Sequence, residues 1–144
     1  MPGPPRARRH GSFPTTADLG IWARAPTADA LYEELAEALV GVMTDRRKLL
    51  AKERRSVAVT ADDPLGLAVA FLSELVVLFQ VDGFLARSVR VRATGRRPLR
   101  LRAELAGETF DPDRHPRRIE VKAVTLHAAV FDPAGGLARI ILDI

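Results

Sequence analysis

The amino-acid sequence predicts an α+β domain: a two-layer sandwich in which two helices pack on a mixed, mostly antiparallel sheet. Three observations lead there. Two stretches with helical character, Ala28–Thr44 and Leu65–Gln80, flank an alternating, strand-like run at Arg55–Ala61. The final third then changes to consecutive period-two or β-branched stretches with no helical period among them. Pro133-Ala134-Gly135-Gly136 joins the last two of those stretches as a hairpin, which favours antiparallel pairing.

Taken in order, residues 1–11 read as a disordered basic arm, rich in Pro2, Pro4, Pro5 and Gly11 and carrying Arg6, Arg8 and Arg9. Residues 12–144 read as a single domain. From Phe13 to Ala25 the alternation of Leu19, Ile21 and Ala23 with Asp18, Gly20 and Arg24 predicts a strand, which Pro26 ends. Thr27 is placed to cap the first helix. Along it Leu31, Leu35, Leu39 and Val42 form one apolar stripe, with Glu33, Glu34 and Glu37 opposite. Arg46, Arg47 and Lys48 follow its end, where cations suit the helix dipole. Asp62-Asp63-Pro64 starts the second helix, which is apolar almost all round and so is expected to be the more deeply buried; Gly83 stops it. Arg87–Thr94, Pro98–Ala106, Ile119–Phe131 and Leu137–Ile144 are the remaining predicted strands.

The chain has 144 residues, 47% hydrophobic and 28% charged. That length suits one domain able to bury roughly 70% of its extended surface. It contains no cysteine, which excludes disulfides, thiolate metal sites and a cysteine nucleophile. The longest apolar runs are interrupted by Ser73 and Glu74, short of the ~18 uncharged residues of a membrane span, so a soluble protein is expected. No apolar stretch follows the N-terminal arginines, so no secretory signal is read and a cytoplasmic location is expected. The formal net charge is +4, but Arg6, Arg8 and Arg9 precede any acid and leave the rest nearly neutral. Charge alone therefore does not argue for nucleic-acid binding. There is no phosphate-binding glycine loop, dinucleotide fingerprint or nucleophile elbow, and the four serines have no base at a motif spacing. A stand-alone enzyme is not supported.

Several residues are candidates for chemistry. Asp18, inside an apolar alternation and close to Gly20, reads either as a turn or cap aspartate or as a ligand for a hard cation. Asp143 is followed only by Ile144. A chain ending on a strand sets its terminal carboxylate beside that of Asp143, which a cation or a basic group relieves; the alternative is a frayed, solvated end. On a strand Glu120 and Lys122 share one face, usually a solvated ion pair, and Thr125 and His127 share the other. His127 by itself reads as structural, and Asp111-Pro112-Asp113 as a turn. Arg87, Arg90, Arg92, Arg96, Arg97, Arg100 and Arg102 occur with no acid between Asp82 and Glu104. This stripe either touches phosphates or is a solvated sheet face. No aromatic interleaves with it, which counts against stacking on single-stranded bases.

Together the segments resemble the archease family. The matching pieces are Phe13-Pro14-Thr15-Thr16-Ala17-Asp18-Leu19-Gly20-Ile21, Met43-Thr44-Asp45, Phe71-Leu72-Ser73-Glu74-Leu75, Phe110-Asp111-Pro112-Asp113-Arg114-His115, Glu120-Val121-Lys122-Ala123-Val124-Thr125-Leu126-His127 and the terminal Leu142-Asp143-Ile144. They occur in order over about residues 13–144. The chain departs from the pattern at Thr15, where archeases have histidine, and at Leu126, where they have an aromatic. The resemblance implies a non-catalytic accessory protein of the RtcB-type RNA ligase, in tRNA splicing or RNA repair. Such a protein promotes guanylylation of the ligase's histidine and multiple turnover. It implies a divalent metal, calcium in structures of the family with magnesium or manganese as alternatives, held by Asp18, Asp143 and the terminal Ile144. Asp45, Glu120, Lys122 and His127 match neighbouring polar positions. The ligase is the implied partner, with RNA touched only indirectly or weakly and no membrane involved. An RNA-binding module resting on the arginine stripe, or a general protein chaperone, are the alternatives.

Overall fold

The computed structural model describes residues 7–16 and 18–144. The apolar alternation from Phe13 to Ala25 is a hairpin and not one strand: β1 (Arg9–Pro14) pairs antiparallel with β2 (Leu19–Arg24). Thr15 holds the turn between them. Its hydroxyl accepts from the Asp18 N–H at 3.0 Å and its own N–H donates to the Asp18 carbonyl at 3.2 Å. The arm expected over residues 1–11 overlaps β1 at Arg9, His10 and Gly11. Residues 1–6 lie outside the described residues, whereas Arg9, His10 and Gly11 already pair with Arg24, Ala23 and Trp22. Backbone pairing orders them, which composition does not reveal.

The chain continues through α1 (Ala28–Met43), a 3-10 turn at Arg46–Lys48, β3 (Glu53–Ala61), α2 (Pro64–Asp82), β4 (Phe84–Ala93), β5 (Leu99–Thr109), β6 (Ala123–Asp132) and β7 (Leu137–Asp143). The α+β class is as the sequence predicts. The strands, however, divide between two sheets, β1-β2-β7-β6 and β3-β5-β4, and the pairings within both are antiparallel. Both helices start on side-chain caps. The Thr27 hydroxyl accepts from the Ala30 N–H at 3.1 Å and the Asp63 carboxylate from the Gly66 N–H at 2.6 Å, with Pro64 in the first turn of α2. Gly83 ends α2 at φ +68, and its N–H returns to the Phe79 carbonyl at 2.8 Å.

The expected order of helix burial is reversed. α1 lies against β1 and β2 of one sheet and β4 of the other, and Glu34 is only 5% exposed although the helical pattern sets it opposite the apolar stripe. α2 lies against β6 and β3. It buries one face, Leu67, Ala68, Phe71, Leu72, Leu75 and Val76, and leaves Val77 and Val81 exposed. By length and composition α2 matches a membrane span, with mean hydropathy 2.0 over 18 residues, so Ser73 and Glu74 do not exclude one; a third of that window is buried against the rest of the protein.

The strand predicted over Ile119–Phe131 begins only at Ala123. The N–H groups of Arg118 and Ile119 donate instead to the Met43 and Val42 carbonyls, both at 3.1 Å, satisfying the open end of α1. Glu120 and Lys122 therefore do not share a strand face. Nor do Thr125 and His127 follow a simple alternation, because the β6–β7 register shifts between Thr125 and Val130, where Ala128 takes φ +52.

Gly107 marks the tightest backbone approach between strands. A Cβ there would collide with the Leu85 carbonyl and come within 2.9 Å of the Ala86 Cα, next to the register shift in β4. Gly107→Ala is expected to destabilise the protein by about 1–3 kcal/mol, the usual range for overpacking, as a lower urea midpoint.

Candidate functional site

The β2–β7 register ends with Leu19 paired to Leu142, so Asp18 and Asp143 are the next residues beyond that last pair on their two strands. Asp18 is half-buried in the turn held by Thr15, and Asp143 and Ile144 are exposed at the end of β7. β6 closes the other side: Ala123 pairs with Asp143, and the Lys122 N–H donates to the Asp143 carbonyl at 2.7 Å. Neither Asp18 nor Asp143 has an ion-pair partner among the described residues, so neither carboxylate has a fixed countercharge. An all-oxygen set of this kind, with open positions, fits a hard divalent cation.

Asp45 stands at the end of α1, on the same end of the molecule as the β1–β2 turn, since Ser12 of β1 and Gly41 and Val42 of α1 line one hollow. Its carboxylate is already engaged. It accepts from the Arg47 N–H at 3.1 Å and from the Arg47 guanidinium at 3.1 and 3.2 Å, with Arg118 at 3.9 Å. The hydrogen bonds from Arg47, outweighing partial burial, hold its carboxyl below the usual range. Glu120 and His127 are exposed, and no contact joins either to Asp18 or Asp143.

Two clusters were not legible from the sequence. In the first, Glu108 is 4% exposed and accepts from the Leu50 N–H at 2.6 Å, from His115 Nε2 at 3.1 Å and from Arg114. His115 Nδ1 accepts from the Asp111 N–H at 2.8 Å, so Nε2 carries the proton donated to Glu108. Burial raises the Glu108 pKa, but Arg114, the Leu50 N–H and His115 outweigh it and bring it from 4.5 to about 2. This buried carboxylate ties down the Phe110–His115 turn. From there the chain reaches α1's end and then Asp143.

The second cluster is His10, Glu34 and Glu37, whose ligating atoms all lie within 4.8 Å of one another. His10 Nδ1 is buried with no hydrogen-bond partner among the described residues, 3.7 Å from Glu34 and 3.9 Å from Glu37. Such a nitrogen-and-carboxylate set could hold a metal. Arg8 at 3.5 Å from Glu34 and Arg46 at 3.6 Å from Glu37 already supply positive charge, however. Burial, reinforced by the Glu34 carboxyl, holds the Glu37 pKa up. The only sequence signal was the Glu34–Glu37 spacing; their histidine arrives from β1.

A sequence model of the Archease protein family matches residues 11–144. The archease of Thermococcus gammatolerans is 37% identical over 121 residues, covering 83% of this chain and 85% of that protein. That of Methanothermobacter thermautotrophicus is 35% identical over 135 residues, covering 92% and 96%. The solution structure of Methanobacterium thermoautotrophicum protein 1598 superposes with a TM-score of 0.79 at 33% identity, over 94% of this chain and 98% of that one. A Thermotoga maritima crystal structure, described there as an archease and possible chaperone, matches with a TM-score of 0.50 at 14% identity over 99% and 95%. That last likeness concerns the fold alone.

Because its pKa is lower folded than unfolded, Glu108 contributes stability in full above about pH 4.5, and that contribution is lost as the pH falls toward 2. Glu108→Gln is expected to lower stability at neutral pH and to flatten the decline between pH 4.5 and 2, read by thermal melts across that range.

Proposed function

The chain belongs to the archease family, and from that premise we propose that it is an accessory protein of an RtcB-type RNA ligase and not itself a catalyst. It acts in the cytoplasm, promoting guanylylation of the ligase's histidine and multiple turnover. The observation that supports this reading is the β2–β7 register, whose last pair, Leu19 with Leu142, adjoins Asp18 on one strand and Asp143 on the other. A divalent cation held by Asp18, Asp143 and the terminal carboxylate of Ile144, calcium by preference, would supply positive charge toward phosphate oxygens.

The protein's own residues prepare that end. Thr15 fixes Asp18 through the turn hydrogen bond, a structural duty that its hydroxyl fulfils where other archeases carry histidine. The Lys122 N–H fixes the Asp143 backbone, and the exposed Lys122 side chain would be available as a second cationic contact for a phosphate. Asp45, bound to Arg47, serves to hold α1's end and is not assigned a metal. Oxygen-only donors favour the strand-end set over His10, Glu34 and Glu37 for calcium, since a nitrogen donor suits a softer ion. The general chaperone alternative would rest on exposed apolar residues, among them Val77 and Val81 on α2 and Leu126 and Val130 on β6, which packs against α2.

Calorimetric titration with calcium and a ligase guanylylation assay test this together. Asp18→Asn and Asp143→Ala should each weaken calcium binding on the order of tenfold or more and reduce the stimulation of guanylylation, while His10→Gln should leave both intact. Undiminished stimulation by Asp143→Ala would remove the strand-end carboxylates from the mechanism. Loss of calcium binding in His10→Gln alone would move the metal to the other cluster.

A further inference from the structure

The outer face of the sheet β3-β5-β4 carries a charge arrangement that the fold itself does not neutralise. Its exposed positions are Arg54, Ser56, Ala58 and Thr60 on β3, Arg90 and Arg92 on β4, and Arg100, Arg102 and Glu104 on β5. Arg92 is paired directly with Arg102, and Arg102 in turn with Ala58. Like charges directly opposite each other on a sheet oppose folding. Glu104 is the single acid on this face; it stands 3.9 Å from Arg102 and accepts a hydrogen bond from the Ser56 hydroxyl at 2.8 Å. Arg54, Arg90, Arg92 and Arg100 have no ion-pair partner among the described residues.

The backbone geometry decides which arginines belong to this face. The register shift in β4 between Ala86 and Ser88 takes Arg87 away from it. The Arg87 guanidinium instead donates to the carbonyls of Arg46, Arg47 and Leu49 at 3.3, 3.0 and 3.1 Å, a structural duty. Beyond the shift, Arg90 and Arg92 alternate outward. Arg92, Arg100 and Arg102 rim a shallow hollow of about 560 Å³ floored by Ala58 and Thr60, where small side chains leave the guanidinium groups accessible.

We infer that this face binds the phosphate backbone of double-helical RNA. Guanidinium groups bridge phosphate oxygens bidentately, and the exposed hydroxyls of Thr60 and Ser88 are further donors of the kind that contact phosphates. The exposed positions include no aromatic and no large apolar side chain. Protein interfaces centre on aromatic and apolar anchors together with arginine, of which only the arginines are present here, and base stacking on a single strand would need aromatics. What remains is sequence-independent recognition of a regular backbone. The choice of RNA over DNA rests on the ligase-accessory reading; the binding itself does not.

Fluorescence anisotropy of the full chain with a labelled RNA hairpin, without ligase, tests the inference. The logarithm of affinity should fall linearly with the logarithm of salt. Arg92→Gln with Arg102→Gln should lose affinity on the order of tenfold at low salt and flatten the slope by about 1 per arginine removed. The same double variant should melt no lower than the unaltered protein, because a repelling pair has been removed, so weakened binding is not misfolding. Arg24→Gln, an exposed charge on the other sheet, should leave the slope unchanged. Absence of hairpin binding by the unaltered chain would overturn the inference, as would an equal loss with Arg24→Gln. So would a double variant that binds RNA normally yet fails to bind the ligase, which would assign the face to a protein. Hairpin binding is read without ligase and stimulation of guanylylation with it, so failure of one leaves the other standing.

Discussion

The structure depends on how α1 is held between the two sheets. β4 is an edge strand, and an edge strand presents unpaired N–H groups that must find acceptors. Two come from α1: Glu33 accepts from the Val91 N–H at 2.8 Å and Asp29 from the Ala93 N–H at 3.1 Å. The next acids along the helix, Glu34 and Glu37, face Arg8 and His10 on the β1 side. One acidic helix face thus satisfies the edge of one sheet and meets the Arg8 guanidinium and the His10 ring on the β1 side of the other. The remaining face of α1 is apolar core. With both sides occupied, α1 has little freedom to slide, and its open C-terminal carbonyls are fixed where Arg118 and Ile119 can reach them.

That fixed end sets the position of Asp143. A buried carboxylate such as Glu108 is costly unless several donors surround it. Here Leu50, Arg114 and His115 do so, which locks the Phe110–His115 turn to the segment after the 3-10 turn. Phe110 is held further by an edge-on contact with Phe79 of α2 and by the Arg117 guanidinium over its ring. Between that lock and α1's end the chain has only one course, and it delivers the Lys122 N–H to the Asp143 carbonyl. Much of the Phe110–His127 block that carries the family resemblance is therefore scaffolding. His115, with a side chain 0% exposed, is a hydrogen-bond hinge and not a reactive group.

Local periodicity made the helices and the α+β class legible, because periods of 3.6 and 2 are properties of neighbouring residues. What lay beyond local reach depended on what covers each face. Glu34 looks solvated on a helical wheel and is buried because β1 crosses it. Residues 117–122 carry a strand-like pattern, yet Arg118 and Ile119 spend their N–H groups on a helix end. Arg9–Gly11 read as a disordered arm because pairing with β2 leaves no mark on composition. Asp18 and Asp143 stood out as acids among apolar neighbours, but only the pairing of β2 with β7, distant in sequence, brings their two strands side by side. Arg87 belonged to the arginine stripe until one irregularity in β4 turned it inward.

The two proposed surfaces divide between the two sheets and carry opposite sign. Carboxylates collect at one end of β1-β2-β7-β6, and guanidinium groups spread over the open face of β3-β5-β4. At physiological salt, charges farther apart than about 8 Å hardly sense each other, so each surface acts on its own neighbourhood. A phosphate is repelled by the strand-end carboxylates unless a cation inverts the local sign. It is attracted by the arginine face at all times, since arginine keeps its charge. On the proposed reading the arginine face would hold an RNA backbone whatever the state of the first sheet. The carboxylate end would attract phosphate only when metal-loaded, and that asymmetry would separate engaging the RNA from acting on the ligase.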